Sequence, residues 1–404
     1  MAQLGCRTLD FGHRPNGVKI MKLSASHRSF LSLLRNPTIN LICLLGLLSF
    51  AALAQTPAAS SKRLLGYYPE WSKYNNPPYV YSADQIPYNQ LTHIAHAFVL
   101  LDSKADGTLS VPQGFVELAL IRKAHAAGVK VLLSIGGGDG IEGPRFNRMA
   151  RVEANRQRFV HNVHRFLTKH GYDGVDVDWE IPNARDSSNC TTLMQELRNE
   201  LPSPWLISMA TPSDPRSWGK GFDIPALAPL LDFMNVMTYD FTGSWAGFAG
   251  LNSPLFQDPA DPGQNGSVAT SMDLYQTIYG VPPAQLNMGT PFYGYEFDGA
   301  SALWQGCNSC VVNQQNYGPY IKSLINHQGW QREFDKSAKS PYLVNSTLPA
   351  FISYDDSAST SRKTRYILKQ RGFGGVFMWE LSADYDGHSQ DLMGAMYNAW
   401  QASQ

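Results

Sequence analysis

Short, nearly continuous apolar runs recur along the chain after Lys62, and each has the length of one β-strand. Lys130-Val-Leu-Leu-Ser-Ile135 and Phe233-Met-Asn-Val-Met-Thr238 are examples, and such runs are typical of parallel strands that are covered on both faces. The pattern predicts eight strands: 64–68, 93–99, 129–135, 173–180, 205–210, 233–239, 286–292 and 374–379.

Segments with helical spacing of apolar residues separate several of these runs. They are 116–127, 153–169, 190–200 and 360–371, with 389–401 at the end of the chain. Eight strands alternating with helices over about 340 residues predict an α/β fold, a (β/α)8 barrel, rather than two doubly wound domains. The interval at about 295–350 is wider and rich in Gly, Asn, Ser and Pro. We expect a small insertion there, after strand 7, that walls one side of a cleft.

The fourth predicted strand carries three carboxyl groups on one face. In Asp173-Gly-Val-Asp-Val-Asp-Trp-Glu180, Asp176, Asp178 and Glu180 alternate with two valines and a tryptophan, and strand side chains switch faces with a period of two. Like charges so close together in a half-buried place raise the pKa of at least one carboxyl, which then holds a proton near neutral pH, as a general acid must. A solvated acidic strand at a sheet edge is the alternative, and the apolar residues between the acids argue against it.

Acidic and aromatic residues also stand where other predicted strands end. The sixth strand ends in Met237-Thr-Tyr239-Asp240, the seventh near Tyr293 and the eighth in Trp379-Glu380. Active sites of (β/α)8 barrels lie at the C-terminal ends of the strands. We therefore expect these side chains to converge on one rim with the acidic strand.

The composition excludes some classes of protein. Among 404 residues, 33 are basic and 33 acidic, and this balance argues against a nucleic-acid binder or a polybasic membrane binder, because both need a positive field. An apolar content of 43% is ample for a packed core.

Residues 1–54 are predicted to be a secretory signal region rather than part of the fold. Basic Arg28 and Arg35 precede an uncharged, Leu- and Ala-rich run that ends in Ala52-Leu53-Ala54. The run is about sixteen residues long, shorter than the roughly twenty that span a bilayer. A retained anchor is the alternative. We expect cleavage before Gln55, secretion to an extracellular or periplasmic space, and no membrane contact afterwards.

The remaining boundaries follow from that assignment. Met21 is a plausible true start, because initiation there gives a more ordinary signal length. Residues 55–62 form a short leader, and residues 63–404 form a single folded domain that includes the insertion.

Three cysteines remain once Cys6 and Cys43 leave with the signal. Cys307-Asn-Ser-Cys310 has neither a second Cys pair nor a His cluster nearby, so a zinc site is improbable. A local disulfide is favoured in an exported protein, although so short a loop is not certain to close. Cys190 is expected to be a free thiol on a helix.

These motifs resemble the family 18 glycoside hydrolases, the chitinases and their relatives. The resemblance covers essentially the whole mature chain, and the acidic strand is its most specific motif. The other matching segments, in order, are Gly66-Tyr-Tyr68, Ala97-Phe98, Ser134-Ile-Gly-Gly137, Met237-Thr-Tyr-Asp240, Pro291-Phe-Tyr-Gly294, Tyr354-Asp-Asp356 and Gly374-Gly-Val-Phe-Met-Trp379.

The resemblance implies a role for each catalytic residue. Glu180 is the general acid to the glycosidic oxygen, and Asp178 orients the substrate's acetamido group and stabilises its charged form. Asp176 lies deeper and shares a proton with Asp178. Tyr239 hydrogen-bonds the acetamido oxygen, and Asp240 contacts the distorted sugar. The implied pocket lining is Tyr67, Phe98, Met237, Tyr293 and Trp379, with Trp379 as the floor.

The resemblance also implies a mechanism without cofactor or metal. The substrate's own 2-acetamido oxygen attacks the anomeric carbon, so the sugar must carry an N-acetyl group and its configuration is retained. The expected protein is a secreted chitinase acting on β-1,4-linked N-acetylglucosamine polymers or oligomers, with chitin or chitooligosaccharides as its partner. Endo action is favoured, although the loops at the cleft ends decide it.

Three positions depart from the family pattern. Gly138 stands where many chitinases have a tryptophan, Ile181 where a tyrosine follows the glutamate, and Tyr295 where an arginine often follows Tyr-Gly. Together they leave open which glycan and which chain length are preferred. Trp71 and Trp245 lie in loops after strands 1 and 6, where each either stacks on sugar at an outer subsite or anchors its own loop.

Three alternative functions remain. A lectin-like relative would bind glycans without cleaving them, but such proteins typically lose the glutamate or the middle aspartate that this chain keeps. A hydrolase of another N-acetylglucosamine glycan, such as peptidoglycan or an N-glycan core, is the second. A calcium-dependent hydrolase is the third, because Asp-x-Asp-x-Asp occurs in calcium loops, yet the apolar residues between the acids and the missing loop glycine indicate a strand.

Overall fold

The structure, a computed structural model, describes residues 62–404. The predicted secretory signal, the start at Met21 and all of the leader except Lys62 lie outside the described residues. No helix in the described range is both long enough and apolar enough to cross a membrane.

Fourteen strands and several helices make up this part of the chain. In chain order the strands are β1 Arg63–Pro69, β2 His93–Leu101, β3 Leu109–Ser110, β4 Lys130–Gly136, β5 Gly174–Asp178, β6 Leu206–Pro212, β7 Phe233–Met237, β8 Leu286–Pro291, β9 Tyr293–Asp298, β10 Val311–Asn316, β11 Trp330–Asp335, β12 Ser340–Asn345, β13 Ala350–Ser353 and β14 Gly375–Trp379. The α-helices are Leu118–Ala126, Glu142–Ala150, Glu153–His170, Ser187–Glu200, Ile224–Leu227, Val268–Asp273, Lys322–Leu324, Ser357–Arg365 and Asp391–Gln401.

Eight parallel strands close into a barrel. Neighbours follow the order β1, β14, β8, β7, β6, β5, β4 and β2, and β2 pairs with β1 to complete the ring. Each of the eight apolar runs predicted from the sequence forms one barrel strand, so the prediction of a (β/α)8 barrel is confirmed. The helices lie between successive strands, and apolar side chains from both layers fill the space between barrel and helices.

The two faces of the acidic strand β5 have different surroundings. Val175 and Val177 join the apolar layer between barrel and helices, which leaves Asp176 and Asp178 on the opposite, inward face. Strand β5 ends at Asp178, two residues before the predicted end. Trp179 is fully buried and stacks on Phe146, with ring centroids 5.1 Å apart.

The helix boundaries differ from the predicted ones where the sequence offered mixed signals. The helix Ser357–Arg365 begins three residues before the predicted start, because Asp356 and Ser359 form a capping box at its N-terminus. The helix Glu142–Ala150 was not predicted. Its first turn contains Gly143 and Pro144, which discourage a helical prediction, yet proline is tolerated in the first turn because those N–H groups have no partner within the helix.

The predicted insertion after strand 7 lies between β8 and β14 and forms a second, antiparallel sheet. Its five strands are ordered β10, β9, β13, β12 and β11. Strand β9 starts at Tyr293, with only Phe292 between it and the end of β8. Phe297 and Phe351 pack against each other in this sheet, and their apolar cluster is continuous with the barrel interior.

The cysteines of the described chain occupy two environments. Cys307 and Cys310 are joined by a disulfide, with Cα atoms 5.2 Å apart. Cys190 is a free, buried thiol on the helix Ser187–Glu200.

Candidate active site

A cleft of about 510 Å³ opens at the C-terminal ends of the barrel strands, the face where barrels of this type carry their active sites. Nine of the ten side chains singled out from the sequence line it: Tyr67, Phe98, Asp178, Glu180, Met237, Tyr239, Asp240, Tyr293 and Trp379. The tenth, Asp176, lies beneath the cleft. The structure therefore brings together residues that are more than 300 positions apart in the sequence.

Asp176 is a fully buried carboxyl group with four hydrogen-bond donors. Its Oδ2 accepts from Tyr67 Oη at 2.9 Å and Ser134 Oγ at 2.7 Å, and its Oδ1 accepts from Ser208 Oγ at 2.6 Å and Asn235 Nδ2 at 3.2 Å. Burial raises the pKa of Asp176, and the four donors act against that rise because they stabilise the anion.

Asp178 and Glu180 interact through a hydrogen bond, and a bond between two carboxyl groups requires a proton on one of them. Burial, with the charges of Glu180 and Asp176 added, raises the pKa of Asp178 well above its usual value. Burial also raises the pKa of Glu180 to about 7, with a further contribution from the charge of Asp240. Glu180 is thus poised to exchange a proton near neutral pH, as a general acid and base requires.

Asp178 has a second feature of interest. Its Oδ1 atom is buried and has no hydrogen-bond partner within the described chain. An unpaired buried polar atom is costly. Because Asp178 lines the cleft, a donor group on a bound molecule could satisfy this atom.

Asp240 is held above the end of β7 by two phenol groups. Tyr293 Oη and Tyr295 Oη both donate to its Oδ1, the latter at 2.9 Å. Its backbone is left-handed, with φ of 59°, and its N–H donates to Asn252 Oδ1 at 2.9 Å. Asp240 keeps an exposed surface, but the surrounding protein desolvates its carboxyl group, and this desolvation raises the pKa of Asp240.

Aromatic rings line the cleft. Trp379, at the end of β14, stacks on Phe98, with centroids 5.6 Å apart and planes inclined by 20°. Tyr67 meets the same indole edge-on at 5.5 Å. Tyr239 meets the ring of Tyr293 edge-on, with centroids 6.1 Å apart and planes inclined by 77°. Flat apolar surfaces of this kind suit the apolar faces of sugar rings.

The cleft wall includes residues that sequence reasoning did not assign. Glu70, Asp139 and Gln314 line it, and they come from loops after β1 and β4 and from the edge strand β10. No sequence motif identifies them, because their place depends on loop paths and on the insertion. The wall contains five carboxyl side chains and, among the described residues that form it, no Lys, Arg or His.

The two exposed tryptophans differ in place. Trp71 lines the cleft with 45% of its surface exposed, which fits a stacking platform. Trp245 is 61% exposed and meets Tyr295 edge-on at 5.9 Å, but it does not line the cleft.

Two of the departures from the family pattern have visible consequences. A Cβ atom at Gly138 would lie 2.9 Å from Glu180 Oε1, so a larger residue there would force the acid to move. Tyr295 supplies a neutral phenol to Asp240, and no cation of the described chain pairs with that carboxylate within salt-bridge distance.

Residues 62–404 contain no group of three or more His, Cys, Asp or Glu side chains arranged to hold a metal ion.

The closed parallel barrel of this protein carries carboxyl groups, a tyrosine and an indole at the C-terminal ends of its strands. These features place it in the class of glycoside hydrolases with a (β/α)8 barrel. The profile of the glycosyl hydrolases family 18 matches residues 63–384. The chain belongs to that family.

Individual relatives agree with this assignment. Chitotriosidase-1 of Mus musculus is 31% identical over 351 residues, which covers 80% of this chain and 74% of that protein. Chitinase A1 of Niallia circulans is 27% identical, and the match covers 85% of this chain but only 59% of that longer protein. Among solved structures, chitinase ChiA74 from Bacillus thuringiensis superposes with a TM-score of 0.77 at 27% identity, covering 85% of this chain and 70% of that one.

Proposed function

We propose that the chain is a secreted chitinase that hydrolyses β-1,4-linked N-acetylglucosamine polymers or oligomers, with Glu180 as general acid and base. The observation that carries the proposal is the Asp178–Glu180 pair. Both carboxyl groups line the cleft and share a hydrogen bond, and the pKa of Glu180 lies at about 7. Family membership and the similarity to proteins named as a chitinase and a chitotriosidase support the same substrate class.

In the first step, the proton of Glu180 passes to the glycosidic oxygen as the bond from that oxygen to the anomeric carbon breaks. The carbonyl oxygen of the sugar's own 2-acetamido group bonds to the anomeric carbon from the opposite face. Asp178 stabilises the positive charge that develops on the acetamido group, and its unpaired Oδ1 accepts the acetamido N–H.

In the second step, water attacks the anomeric carbon and the acetamido oxygen leaves. Glu180 takes one proton from that water, which restores the starting protonation state. Two inversions give net retention of configuration. Tyr239 and Asp240 hold the acetamido oxygen and the distorted sugar, and Trp379 supports the ring.

Endo action and secretion are parts of the proposal with separate support. The exposed Trp71 in the cleft wall offers an additional stacking surface, which favours the binding of longer glycans. Relatives named endochitinase point the same way. The apolar run before Gln55 favours export.

The test compares wild type with Glu180→Gln on N-acetylated chitooligosaccharides, and product anomers are read early by proton NMR. We expect β-anomers from the wild type and a loss of about three orders of magnitude in the variant. Glu296→Gln is the matched control, since Glu296 is buried in the second sheet and does not line the cleft.

Other outcomes decide between the alternatives. Binding without turnover by wild type and variant alike moves the protein to the lectin-like function. Turnover that yields α-anomers first contradicts substrate-assisted retention. Absence of both binding and turnover directs the search to another N-acetylglucosamine glycan, such as peptidoglycan or an N-glycan core.

A further inference from the structure

A chain of hydrogen bonds crosses the barrel interior from its N-terminal end to Asp176. Arg63 Nε donates to Asn287 Oδ1 at 2.9 Å, and Asn287 Nδ2 donates to Asn235 Oδ1 at 2.9 Å. Asn235 Nδ2 then donates to Asp176 Oδ1 and to Tyr67 Oη, both at 3.2 Å. Asn235, Asn287 and Asp176 are fully buried.

The sheet register brings these residues side by side. Arg63 pairs with Gly375, Gly375 pairs with Asn287, and Asn287 pairs with Asn235 across the neighbouring strands β1, β14, β8 and β7. A Cβ atom at Gly375 would lie 2.2 Å from Asn287 Oδ1. The glycine therefore leaves the space that the Asn287 amide occupies.

The arginine sets the direction of every bond in the chain. A guanidinium group has only donors, so Asn287 must turn its oxygen toward Arg63 and its NH₂ group toward Asn235. Asn235 in turn receives that donor on its oxygen and can only present its own NH₂ group to Asp176. The guanidinium keeps its proton, because even the burial that lowers the pKa of Arg63 leaves it at about 10.

This fixed donor differs from the other three partners of Asp176. Tyr67, Ser134 and Ser208 bond through hydroxyl groups, which can rotate and can either donate or accept. If Asp176 took up a proton, these hydroxyls could turn and accept it. The amide of Asn235 cannot do so without breaking its bond to Asn287.

We propose that Arg63, Asn287 and Asn235 are positioning residues that hold Asp176 in its ionised form and so leave the mobile proton with Asp178 and Glu180. The proposal rests on the proposed function for its kinetic consequence. It assigns no contact with substrate to any of the three residues.

The titratable groups around Asp176 come from three elements. Tyr67 faces it from β1, Asp178 lies beside it on β5, and Tyr239 faces it from beyond the end of β7. On β4 and β6 its neighbours are Ser134 and Ser208, which do not titrate. Arg63 is itself influenced by Asp232 and lies near His93, both at the opposite end of the barrel from the cleft.

The test interrupts the chain of hydrogen bonds at two points and follows the pH dependence of kcat/KM. Asn287→Leu removes the donor to Asn235, and Arg63→Met removes the group that sets the direction. In both variants the Asn235 amide is no longer held with its NH₂ group toward Asp176, so the anion is less stabilised. The pKa of Asp176 then rises, and the acidic limb of the profile moves to higher pH by roughly 0.5 to 1 unit. Thr290→Val is the control, because Thr290 is buried on the same strand and its hydroxyl has no partner within the described chain.

A second measurement does not depend on activity. Titration of the side-chain carboxyl carbons in ¹³C-aspartate-labelled protein follows Asp176 directly, with Asp176→Asn providing the assignment. The Asp176 signal should titrate at higher pH in Asn287→Leu and Arg63→Met than in wild type and Thr290→Val. An unchanged titration and an unchanged acidic limb in both variants would overturn the proposal, even if thermal stability fell.

The two measurements separate this proposal from the proposed function. If the wild type does not cleave chitooligosaccharides but the Asp176 signal shifts in the variants, the positioning chain stands and the chitinase assignment falls. If the wild type cleaves and neither the signal nor the limb moves, the chitinase assignment stands and the positioning role falls.

Discussion

Carboxyl groups occur in opposite settings at two levels of the barrel. The floor is the sealed interior beneath the cleft, and the rim is the end of the strands where the cleft opens. At the floor, Asp176 accepts four hydrogen bonds and is sealed from solvent. At the rim, Asp178 and Glu180 share one hydrogen bond, and Asp178 leaves one oxygen unpaired. The strand and its period of two are common to both, so the difference comes from the donors that neighbouring strands supply. A carboxyl group that is fully satisfied stays fixed, and one that is not can pass a proton.

The largest effect is expected at the rim from Asp178→Asn. The amide keeps the shape of the side chain but loses the charge that stabilises the acetamido cation in the proposed mechanism, so kcat should fall by about 10²- to 10³-fold, with a smaller change in KM. Steady-state kinetics on chitooligosaccharides measure this. Asp298→Asn, at the exposed end of β9, serves as the control. A wild-type kcat in Asp178→Asn would mean that the charge of Asp178 plays no part in catalysis.

A smaller effect concerns the alkaline limb of the kcat/KM profile. Glu180 must be protonated to donate, so the rate should fall as the pH rises through its pKa of about 7. Asp240→Asn removes a negative neighbour, which favours ionised Glu180 and lowers its pKa. The limb should then move to lower pH by roughly half a unit. Initial rates measured between about pH 4 and pH 9 locate it, and a limb that stays in place or moves upward contradicts the role given to Asp240.

The smallest expected effect is on the free energy of unfolding, when one hydroxyl group is removed at the floor and one at the rim. Ser208→Ala removes a donor from the sealed Asp176 and should lower the free energy of unfolding by about 1 to 3 kcal/mol. Tyr295→Phe removes a donor from Asp240, where water in the cleft can replace it, so the loss should be below about 1 kcal/mol. Urea denaturation of both variants measures the difference. Equal losses would mean that floor and rim are equally sealed.

The sequence predicted the rim better than the floor. Glu180, Tyr239 and Trp379 stand at the ends of predicted strands, and the C-terminal ends of parallel strands meet on one face, so their convergence could be expected. Asn235 is the one polar residue of β7, and Asn287 is an isolated amide near the start of the largely apolar β8. That pattern signals a buried polar contact but names no partner, because pairing across the barrel depends on register and on the space that Gly375 leaves.

The second sheet was the hardest part of the fold to predict. Its interval was recognised by composition, but strands such as β10 are largely exposed and polar and therefore show no alternation of apolar and polar residues. The sequence did not identify Glu70, Asp139 and Gln314 as cleft residues, for a related reason. Their positions are set by the paths of loops and of an edge strand, and local sequence does not encode those paths.

The lining of the cleft has a consequence for the choice of inhibitors. The described lining residues include five carboxyl groups and no basic side chain. Even with a proton shared between Asp178 and Glu180, the cavity should carry negative charge, and low-dielectric walls concentrate the field of such charge. Small molecules with positive charge spread over a sugar-sized ring should be retained better than neutral ones of the same shape. Their affinity should weaken as salt is added, because screening shortens the reach of the field to about 8 Å at physiological ionic strength.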